Sequence, residues 1–449
     1  MPRSFNLTLT ASAQFSADGS RVLFSSGTGP WALLWDVQEN AWVGPLLGHR
    51  SMNFAAEISP DGKRVVAAQS PTEVQVYQAS TARPIGKPIR SWEGLNGATF
   101  TPDSKRVFLS CRDGTARMYW ADSGSPVGRV MTHEWGVKFV AFNPNGSRVC
   151  TASTSWIRLW DVATGAAVSD WLEADVGSRE IGYLPCAPHF SPDGRVLCIA
   201  RGPRVRLLDA MTGQAIVRDL AHADVVHGTG FSSDGARLFT TTASGTVSFW
   251  DVMTGSRVSA PIKVNRYPYT CFADGGRRAL TSVSFGVAQL WDVETSIPLG
   301  PPIECLMQHH DVSPDGKRIA LIGGDRFSGD GEALTLLDAE TGDVIASSRP
   351  DQRGDRWAWS VMFSEDGRRL LVAGMSDEGS LWDGLTGAAI GSLKLAGEIY
   401  VAGFDPAGQH VVMLSGKGTA RIWRADNGDP TGSPIDIPKR VAQSSRDLN

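Results

Sequence analysis

The sequence predicts an all-β fold made of repeated antiparallel sheets, and three observations support this prediction. Tight-turn signals such as Asp-Gly return at an even spacing along the whole chain. The residues between these turns are rich in β-branched and aromatic side chains, which suit a pleated and half-buried strand surface. The 449 residues include 49 Gly and 25 Pro, and no stretch keeps a helical period for more than a turn or two. We therefore expect short strands joined by turns.

The repeating unit is clearest between Phe231 and Val258. Asp234-Gly235 and Thr254-Gly255 are turn signals, because aspartate can hydrogen-bond its own backbone and glycine accepts a positive φ. The segments RLFTTT and TVSFWDV between these turns have strand composition. A further strand ends before the first turn and another follows the second. Each unit therefore supplies four strands, a to d, in an antiparallel meander.

Ten such units follow one another without a break. The signals of the a–b turns are Asp18-Gly19, Asp61-Gly62, Asp103-Ser104, Asn145-Gly146, Asp193-Gly194, Asp234-Gly235, Asp274-Gly275, Asp315-Gly316, Asp366-Gly367 and Ala407-Gly408. The matching residues at the end of strand c are Trp35, Tyr77, Trp120, Trp160, Leu208, Trp250, Trp291, Leu337, Trp382 and Trp423. These residues are 40 to 48 positions apart, so the register holds from end to end.

With this period, four strands per unit and Trp-Asp at the end of strand c, the chain resembles the Trp-Asp (WD) repeat family of β-propellers. The resemblance covers essentially the whole chain and implies four-stranded antiparallel blades. Ten units in register predict one ten-bladed ring. The alternative is a seven- or eight-bladed ring with extra blades appended, since rings of this family usually have those numbers. The excess of 34 Arg over 9 Lys is similar to bacterial members of the family.

We expect a single domain over residues 1–449, with a disordered tail at residues 438–449. The first unit begins with its own strand a at residues 12–15, and the last unit already has a strand d at residues 431–437. No N-terminal strand is therefore needed to complete the last blade. We expect the first and last sheets to be joined by side-chain packing, with residues 5–9 added as an outer strand.

Composition and charge limit the function classes. The net charge of −4 offers no basic surface for nucleic acid. No apolar run approaches the roughly 20 residues that a bilayer-spanning helix needs, and the first 15 residues lack the apolar core of a signal peptide. The six cysteines form no CxxC pair, and we expect them to be reduced and buried. We therefore predict a cytoplasmic protein that binds neither nucleic acid nor membranes.

The hydrogen-bond network that the resemblance implies is incomplete in every unit. In WD repeats it joins a His in the d–a loop, a Ser or Thr in strand b, an Asp in the b–c turn and the Trp of strand c. His49, His133 and His222 occupy the His position, but their units lack the Asp. Each incomplete network loses a charge-assisted hydrogen bond. We therefore expect stability to come mainly from packing between the sheets and from the turns.

A meander alternates its turns between its two ends. The a–b and c–d turns share one end of each blade, which we name the turn face, and the b–c turns and d–a loops share the other, which we name the loop face. Seven of the 15 tryptophans occupy the Trp-Asp position, where we expect them in the core: Trp35, Trp120, Trp160, Trp250, Trp291, Trp382 and Trp423. Five others are expected on the loop face, in b–c turns (Trp31, Trp156) or d–a loops (Trp92, Trp135, Trp357).

These loop tryptophans predict a binding surface. Indole is a large, stiff contact surface, and Trp and Arg are both enriched at interface hot spots. The turn face carries solvating residues such as Lys63, Lys105 and Lys317 instead. The predicted partner-binding residues are Trp31, Trp92, Trp135, Trp156, Arg326, Phe327, Arg356 and Trp357. The alternative for each single tryptophan is that it folds over its own blade.

The sequence contains no pattern of catalytic residues. The chain has only eight histidines, and neither His309-His310-Asp311 nor the acidic residues Asp325, Asp330 and Glu332 have the spacing of a metal site. We predict no catalytic residue, no cofactor and no metal. The favoured function is a non-enzymatic interaction scaffold for a protein or peptide partner. The alternative is a propeller-fold hydrolase or lyase with catalytic residues at the mouth of a central channel.

Overall fold

A computed structural model describes residues 11–26, 31–45, 47–48, 56–153, 156–173, 187–284, 286–304, 310–323, 333–348, 358–374 and 376–437. Within these ranges the chain forms strands and one short 3-10 helix, Asp274–Gly276, and none of the described helices is long and apolar enough to cross a membrane. The chain divides into two compact units. The first comprises residues 1–137 and 355–449, and the second comprises residues 138–354.

The first unit begins with three sheets, here called blades 1 to 3. Their strands are β1 (Ala11–Phe15), β2 (Arg21–Ser26), β3 (Trp31–Asp36), β4 (Ala41–Trp42) and β5 (Leu47–Gly48) in blade 1; β6 (Glu57–Ile58), β7 (Arg64–Ser70), β8 (Glu73–Gln78) and β9 (Pro84–Arg90) in blade 2; and β10 (Leu95–Phe100), β11 (Arg106–Cys111), β12 (Thr115–Trp120) and β13 (Pro126–Thr132) in blade 3. Both β4 and β5 pair with β3, so strand d of blade 1 consists of two short segments.

The second unit contains blades 4 to 8. Blade 4 has β14 (Phe139–Phe142), β15 (Arg148–Ala152), β16 (Trp156–Asp161) and β17 (Leu172–Glu173), and blade 5 has β18 (His189–Phe190), β19 (Val196–Arg201), β20 (Arg204–Asp209) and β21 (Leu220–Ala221). Blade 6 has β22 (Val226–Phe231), β23 (Arg237–Thr242), β24 (Thr246–Asp251) and β25 (Ile262–Lys263), and blade 7 has β26 (Thr270–Ala273), β27 (Arg278–Ser284), β28 (Val287–Asp292) and β29 (Pro298–Glu304). Blade 8 has β30 (His310–Val312), β31 (Arg318–Gly323), β32 (Ala333–Asp338) and β33 (Val344–Ser348).

Blades 9 and 10 return to the first unit. Their strands are β34 (Ala358–Phe363), β35 (Arg369–Gly374), β36 (Glu378–Asp383) and β37 (Ala389–Lys394), followed by β38 (Ile399–Phe404), β39 (His410–Ser415), β40 (Thr419–Arg424) and β41 (Ile435–Asp436). Every blade is an antiparallel meander of consecutive strands. The predicted fold class is therefore confirmed as an all-β chain of ten β-propeller blades.

The first blade packs against the tenth. Phe15, Phe24 and Trp35 of blade 1 share one buried hydrophobic cluster with Val412 and Ile422 of blade 10. This arrangement is expected for ten blades and not for a seven- or eight-bladed ring with further blades appended. It also confirms that side-chain packing joins the first and last sheets. Residues 5–9 and 438–449 lie outside the described residues.

The a–b turns close through a repeated set of hydrogen bonds. In blade 6 the Ser232 hydroxyl donates to Asp234 Oδ1 at 2.6 Å, and the same oxygen accepts the Ala236 amide at 2.9 Å. Gly235 has a φ of 72°, in the left-handed region that favours glycine. The hydroxyl-to-carboxylate bond recurs in the pairs Ser16–Asp18, Ser59–Asp61, Thr101–Asp103, Ser191–Asp193, Ser313–Asp315 and Ser364–Asp366. The turn signals that define the repeat are therefore side-chain-supported turns.

An arginine at the start of strand b links a blade to the next one. Arg148 of blade 4 donates to Asp161 Oδ2 of its own blade at 2.6 Å and, from Nε, to the Ala210 carbonyl of blade 5 at 3.0 Å. Bridges to the next blade also run from Arg64 to Asp122, from Arg237 to Glu294, from Arg278 to the Glu340 carbonyl and from Arg369 to the Ala425 carbonyl. A planar guanidinium can hold several acceptors at once, whereas a lysine cannot hold them in a fixed fork. This geometry accounts for part of the Arg-over-Lys bias.

One strand-c tryptophan does not lie in the core. Trp120 is 45% exposed, whereas Trp250 is only 5% exposed. The reason is the register: Tyr119 pairs with Val107 as Trp250 pairs with Leu238, so Trp120 occupies the position that aspartate has in other blades. A shift of one residue turns a side chain to the opposite face of a strand. The prediction that Trp120 is a core residue is therefore wrong. Of the other six tryptophans at the Trp-Asp position, Trp291 is partly buried. The remaining five are buried, namely Trp35, Trp160, Trp250, Trp382 and Trp423.

Candidate protein-interaction surface

Two of the predicted binding residues are exposed tryptophans in consecutive d–a loops. Trp92 follows strand d of blade 2 and is 98% exposed, and Trp135 follows strand d of blade 3 and is 62% exposed. Both lie on the loop face of the first unit, as expected. The alternative that each indole folds over its own blade is wrong for these two residues, because folding over the blade would bury the ring.

Trp31 and Trp156 do not lie in b–c turns. Each is the first residue of strand c, and their backbones pair with Gly48 and Glu173 of the outer strand. Strand pairing therefore extends to the edge of the loop face, which a β-favouring tryptophan promotes. The side chain of Trp156 is partly buried. Both residues remain at the loop-face end of their strands, and their part in binding stays a prediction.

The other four predicted binding residues lie outside the described residues. They are Arg326 and Phe327, between β31 and β32 of blade 8, and Arg356 and Trp357, which precede β34 of blade 9. The described surface around Trp92 and Trp135 is therefore the part of the prediction that has a defined geometry.

The two tryptophan loops lie on either side of one b–c turn of blade 3. We name residues 92–94, 112–114 and 134–136 together the tryptophan platform. The Arg112 amide donates to the Gly94 carbonyl at 2.8 Å, which ties the Trp92 loop to the turn. On the other side, a Cβ atom built on Gly136 would lie 2.9 Å from the Arg112 carbonyl oxygen, so only glycine permits the close approach of the Trp135 loop.

Further hydrogen bonds fix the platform to blade 3. The His133 amide donates to the Gly114 carbonyl at 2.8 Å. The side-chain nitrogen Nδ2 of Asn96 donates to the Val137 carbonyl at 3.0 Å and to the Cys111 carbonyl at 3.3 Å. The tryptophans are therefore carried by loops whose backbones are held by neighbouring residues, while the indole rings face solvent.

The exposed charges of the platform are mostly negative. Glu93, Asp113 and Glu134 are exposed, and Arg112 is the single guanidinium among them. Asp113 Oδ1 accepts the Thr115 amide at 2.7 Å and the Thr115 hydroxyl at 2.6 Å. The platform therefore combines two accessible indoles with three carboxylates.

The sequence-based prediction did not include the acidic residues of this surface. A signal was present, because Trp92-Glu93-Gly94 and Glu134-Trp135-Gly136 place a tryptophan beside a glutamate and before a glycine in two consecutive loops. A nearby ion pair, in which Arg90 Nε lies 2.6 Å from Glu73 Oε2, is neutral as a pair.

Comparisons with known proteins support the same architecture. Residues 124–161 and 213–251 match the family model described as WD domain, G-beta repeat. These segments end at strand c of blades 4 and 6. The match and the ten blades together support a WD-repeat β-propeller. No curated protein sequence matches the chain.

Three solved structures are similar to this chain to different degrees. The crystal structure of the eukaryotic initiation factor has a TM-score of 0.61 and 13% identity, covering 81% of this chain and 93% of that chain. The computationally designed Ika8 protein has a TM-score of 0.44 and 17% identity over 77% and 98% of the two chains. The dihydro-heme d1 dehydrogenase NirN in complex with DHE has a TM-score of 0.45 and 19% identity over 76% and 74%. At 13% identity, the similarity to the initiation factor shows a shared fold and nothing about function.

The two WD repeats that match the family model also keep part of its hydrogen-bond network. The indole of Trp160 donates to the Thr151 hydroxyl at 2.7 Å, and that of Trp250 donates to the Thr240 hydroxyl at 2.8 Å. In blade 6, Nε2 of His222 lies 2.8 Å from the same Thr240 oxygen. Burial lowers the pKa of His222, which keeps its ring neutral at neutral pH. Blade 6 thus joins three of the four members of the expected network.

Proposed function

We propose that the protein is a non-catalytic interaction scaffold that presents its loop face to a protein or peptide partner. The observation that carries this proposal is the exposure of Trp92 and Trp135 on neighbouring loops. Covering apolar surface gains about 25 cal/mol for each Å² removed from water, and an indole offers a large area. Two accessible indoles on neighbouring loops are therefore suited to anchor a partner.

The fixed backbone of the platform supports the proposal. Binding costs free energy when a loop must become ordered, and loops already held in place reduce that cost. Hydrogen bonds hold the loops in place. The backbone amide of Arg112 donates to the Gly94 carbonyl, and the side chain of Asn96 donates to the Cys111 and Val137 carbonyls. The partner therefore meets the two indoles in a prepared arrangement.

The other predicted binding residues are proposed as contacts of their own blades, without a placement relative to the platform. They are Trp31, Trp156, Arg326, Phe327, Arg356 and Trp357. A bacterial and cytoplasmic setting is also proposed, from the excess of arginine over lysine and from the lack of an apolar segment of bilayer length in the sequence.

Affinity capture with matched variants tests the proposal. The wild-type chain and the Trp92→Ala/Trp135→Ala variant are used as baits in extracts of the source organism, and retained proteins are identified by mass spectrometry. A captured protein is then purified, and its Kd is measured with each bait. We expect the double variant to bind at least about tenfold more weakly, since truncated anchors cost about 1 kcal/mol or more each.

The control for this experiment is Trp120→Ala. Trp120 is also exposed and lies in blade 3, but it occupies the turn face. Partner affinity equal to that of the wild type is expected for this control. If the loop-face double variant binds every purified partner as tightly as the wild type does, the proposed surface is wrong.

The enzyme alternative is not favoured. A propeller-fold hydrolase or lyase needs several acidic or histidine side chains that converge. Among the residues that the structure describes, no group of three or more His, Cys, Asp or Glu side chains is placed to hold a metal ion. No observation on the described part of the chain identifies a substrate, so the alternative stays a prediction from the fold class alone.

A further inference from the structure

We propose that the segment bound by the tryptophan platform is a positively charged peptide, with arginine or lysine side chains placed over the indoles of Trp92 and Trp135 and beside Glu93 and Glu134. This inference rests on the proposed function, and it adds the chemistry of the partner. It is carried by the composition of the platform, in which accessible indoles and carboxylates occur side by side on fixed loops.

The charge of the platform selects a cation. Glu93, Asp113 and Glu134 contribute three formal negative charges and Arg112 contributes one formal positive charge, and the exposed Lys138 lies two residues beyond the platform. The adjacent ion pair of Glu73 and Arg90 adds no net charge. An acidic peptide would bring like charges together, which is unfavourable when water is excluded. A purely apolar peptide would cover the carboxylates without giving them partners, which is also costly.

Indole rings strengthen the same preference. The face of an indole is electron-rich and attracts ammonium and guanidinium groups within about 6 Å of the ring centre. The attraction grows when the cation is removed from water, as it is beneath a bound peptide. A carboxylate next to the ring adds a charge-assisted hydrogen bond. The indole and the carboxylate of each Trp-Glu pair therefore both stabilise a bound cationic side chain.

The protein uses this chemistry internally in blade 4. The guanidinium carbon of Arg158 lies 5.1 Å from the centre of the Trp160 ring and 4.7 Å from that of Trp171. In blade 6, Arg257 lies 5.0 Å from the Trp250 ring. In both blades an arginine of the chain occupies the indole face. Trp92 is 98% exposed, so its ring is open to a cation that a partner supplies.

The geometry favours an extended segment over a single cation. Trp92 and Trp135 lie on opposite sides of the b–c turn at residues 112–114, so one compact side chain would meet only one of them. In an extended peptide, side chains two residues apart point the same way and are roughly 7 Å apart. A peptide with cationic residues at intervals can therefore place one over each indole.

Isothermal titration calorimetry with synthetic peptides tests this inference. The probes are three peptides of equal length, in which Ser-Arg, Ser-Glu or Ser-Gln is repeated six times so that the varied side chains are two residues apart. They are titrated into the full-length protein at low ionic strength. We expect the arginine peptide to bind about tenfold more tightly than the glutamine peptide, and the glutamate peptide to bind most weakly. Raising the salt concentration should weaken the arginine peptide most, because ions screen exposed charges.

Charge reversal gives the sharpest variant. Glu93→Lys/Glu134→Lys should invert the order, so that the glutamate peptide binds more tightly than the arginine peptide. The matched control is Glu39→Lys/Glu365→Lys, which changes the net charge by the same amount at exposed positions on the turn faces of blades 1 and 9. This control should keep the preference of the wild type. Trp92→Ala/Trp135→Ala should lose most of the affinity for the arginine peptide, and urea unfolding curves confirm that each variant is folded.

Equal affinity for the arginine and glutamate peptides would overturn the inference, as would a charge-reversed variant that keeps the original order. A failure here is distinguishable from a failure of the proposed function. If a captured partner still requires Trp92 and Trp135 while the peptides show no charge preference, the proposed interaction surface is supported and the proposal of a cationic peptide is wrong. If the tryptophan variant binds all partners and all peptides like the wild type, both proposals fall.

Discussion

At the turn face of blade 4, Arg148 donates to the Asp161 carboxylate and to carbonyl groups of blade 5, and its side chain is only 10% exposed. At the loop face of blade 3, neighbouring loops are held by backbone contacts such as the bond from the Arg112 amide to Gly94, and the tryptophans face solvent. At this turn face a charged side chain thus joins two blades. The platform leaves its two indoles accessible, so a change in recognition there need not change stability.

The largest effect that tests this comparison is expected from the core tryptophan of blade 6. Trp250 is 5% exposed, donates to Thr240 and packs edge-on against the His222 ring at 5.3 Å. Trp250→Ala should lower the free energy of unfolding by about 3–5 kcal/mol, because it leaves a cavity and unpaired polar groups. Urea unfolding measures this loss. Trp92→Ala and Trp135→Ala should each change stability by less than about 0.5 kcal/mol; losses equal to that of Trp250→Ala would show that the loop tryptophans are structural.

Two ion pairs of equal length give the next largest effect. Arg148 Nη1 lies 2.6 Å from Asp161 Oδ2 at the turn face, and Arg90 Nε lies 2.6 Å from Glu73 Oε2 at the loop face. The Arg90 side chain is 77% exposed, so water competes for its charge. Arg148→Met should cost about 2–4 kcal/mol of stability because buried acceptors lose their donor. Arg90→Met should cost less than about 1 kcal/mol.

Thermal and urea unfolding of these two methionine variants decide the question. Methionine keeps a long apolar stem in both cases, so the difference between the variants reports the hydrogen bonds and charges. Equal losses would mean that the turn face is not the more strongly linked end. If the stability lost in Arg148→Met disappears at high salt, the Arg148–Asp161 ion pair behaves like an exposed one.

A buried acid gives a smaller effect that depends on pH. Burial raises the pKa of Glu57 in blade 2 to about 7, although the Thr99 hydroxyl and the Phe100 amide donate to it at 3.2 and 3.4 Å. The folded state therefore holds this proton more tightly than the unfolded state does. Stability is unaffected where both states are protonated, below about pH 4, and falls as the pH rises towards and through 7.

Glu57→Gln removes this penalty. Blade 1 shows that glutamine suits the position, because Gln14 Oε1 accepts the Ile58 amide at 3.1 Å just as Glu57 accepts the Phe100 amide. The variant should be more stable than the wild type by about 1–3 kcal/mol at pH 8, and the difference should disappear near pH 4. Urea unfolding at the two pH values measures it. A constant difference at both would show that Glu57 does not titrate in this range.

The smallest single effects come from the carboxylates of the turn face. Burial acts to raise their pKa values, but hydrogen bonds from turn hydroxyls and amides outweigh it, so the pKa values of the following carboxyls lie below the ordinary range: Asp18, Asp103, Asp161, Asp193, Asp209, Asp292, Asp315, Asp366 and Asp383. Their contribution is present above about pH 4 and is lost as the pH falls through the folded values.

We therefore expect gradual acid destabilisation below pH 4, with each of these carboxylates contributing only a fraction of the total. Asp193→Asn should slightly reduce the loss of stability on acidification. Melting temperatures of the variant and the wild type between pH 2 and 5 measure this difference. The matched loop-face variant is Glu93→Gln, for which we expect a melting profile that overlays the wild type. A steeper acid loss in Asp193→Asn would contradict the assigned sign.

The repeat architecture could be predicted from the sequence because turn and strand signals are local. A Ser or Thr, an Asp and a Gly within a few residues are sufficient to build the turn seen at Ser232–Gly235. The register within a strand was harder. Trp120 resembles a strand-c tryptophan in sequence, but the turn that ends at Gly124 places Tyr119 in that position. A one-residue ambiguity of this kind is settled by pairing with the neighbouring strand, which the sequence of one unit does not reveal.

The candidate site was predictable only in part. The loop face followed from the meander, and Trp92 and Trp135 lie there as expected. Their exposure depends on whether neighbouring loops cover them, which is a tertiary property. The contact of the Gly94 and Gly136 loops with Arg112 also joins residues from different loops. The arginine bridges could not be predicted for the same reason, since three of the five acceptors are backbone carbonyls, which have no sequence signature.

The direction of the arginine bridges has a consequence for synthesis of the chain. Each of the five bridges named above runs from one blade to the next, across 56 to 62 residues. On a ribosome that adds roughly 5–20 residues per second, the acceptor of Arg64 appears about 3–12 s after the arginine itself. In each of these five cases the donor blade can complete its own sheet before the acceptor of its bridge has been synthesised. Blade 10 has His410 in place of the arginine, and Nδ1 of His410 lies 3.0 Å from Asp405 Oδ2 of its own turn, so this position makes its contact within one blade.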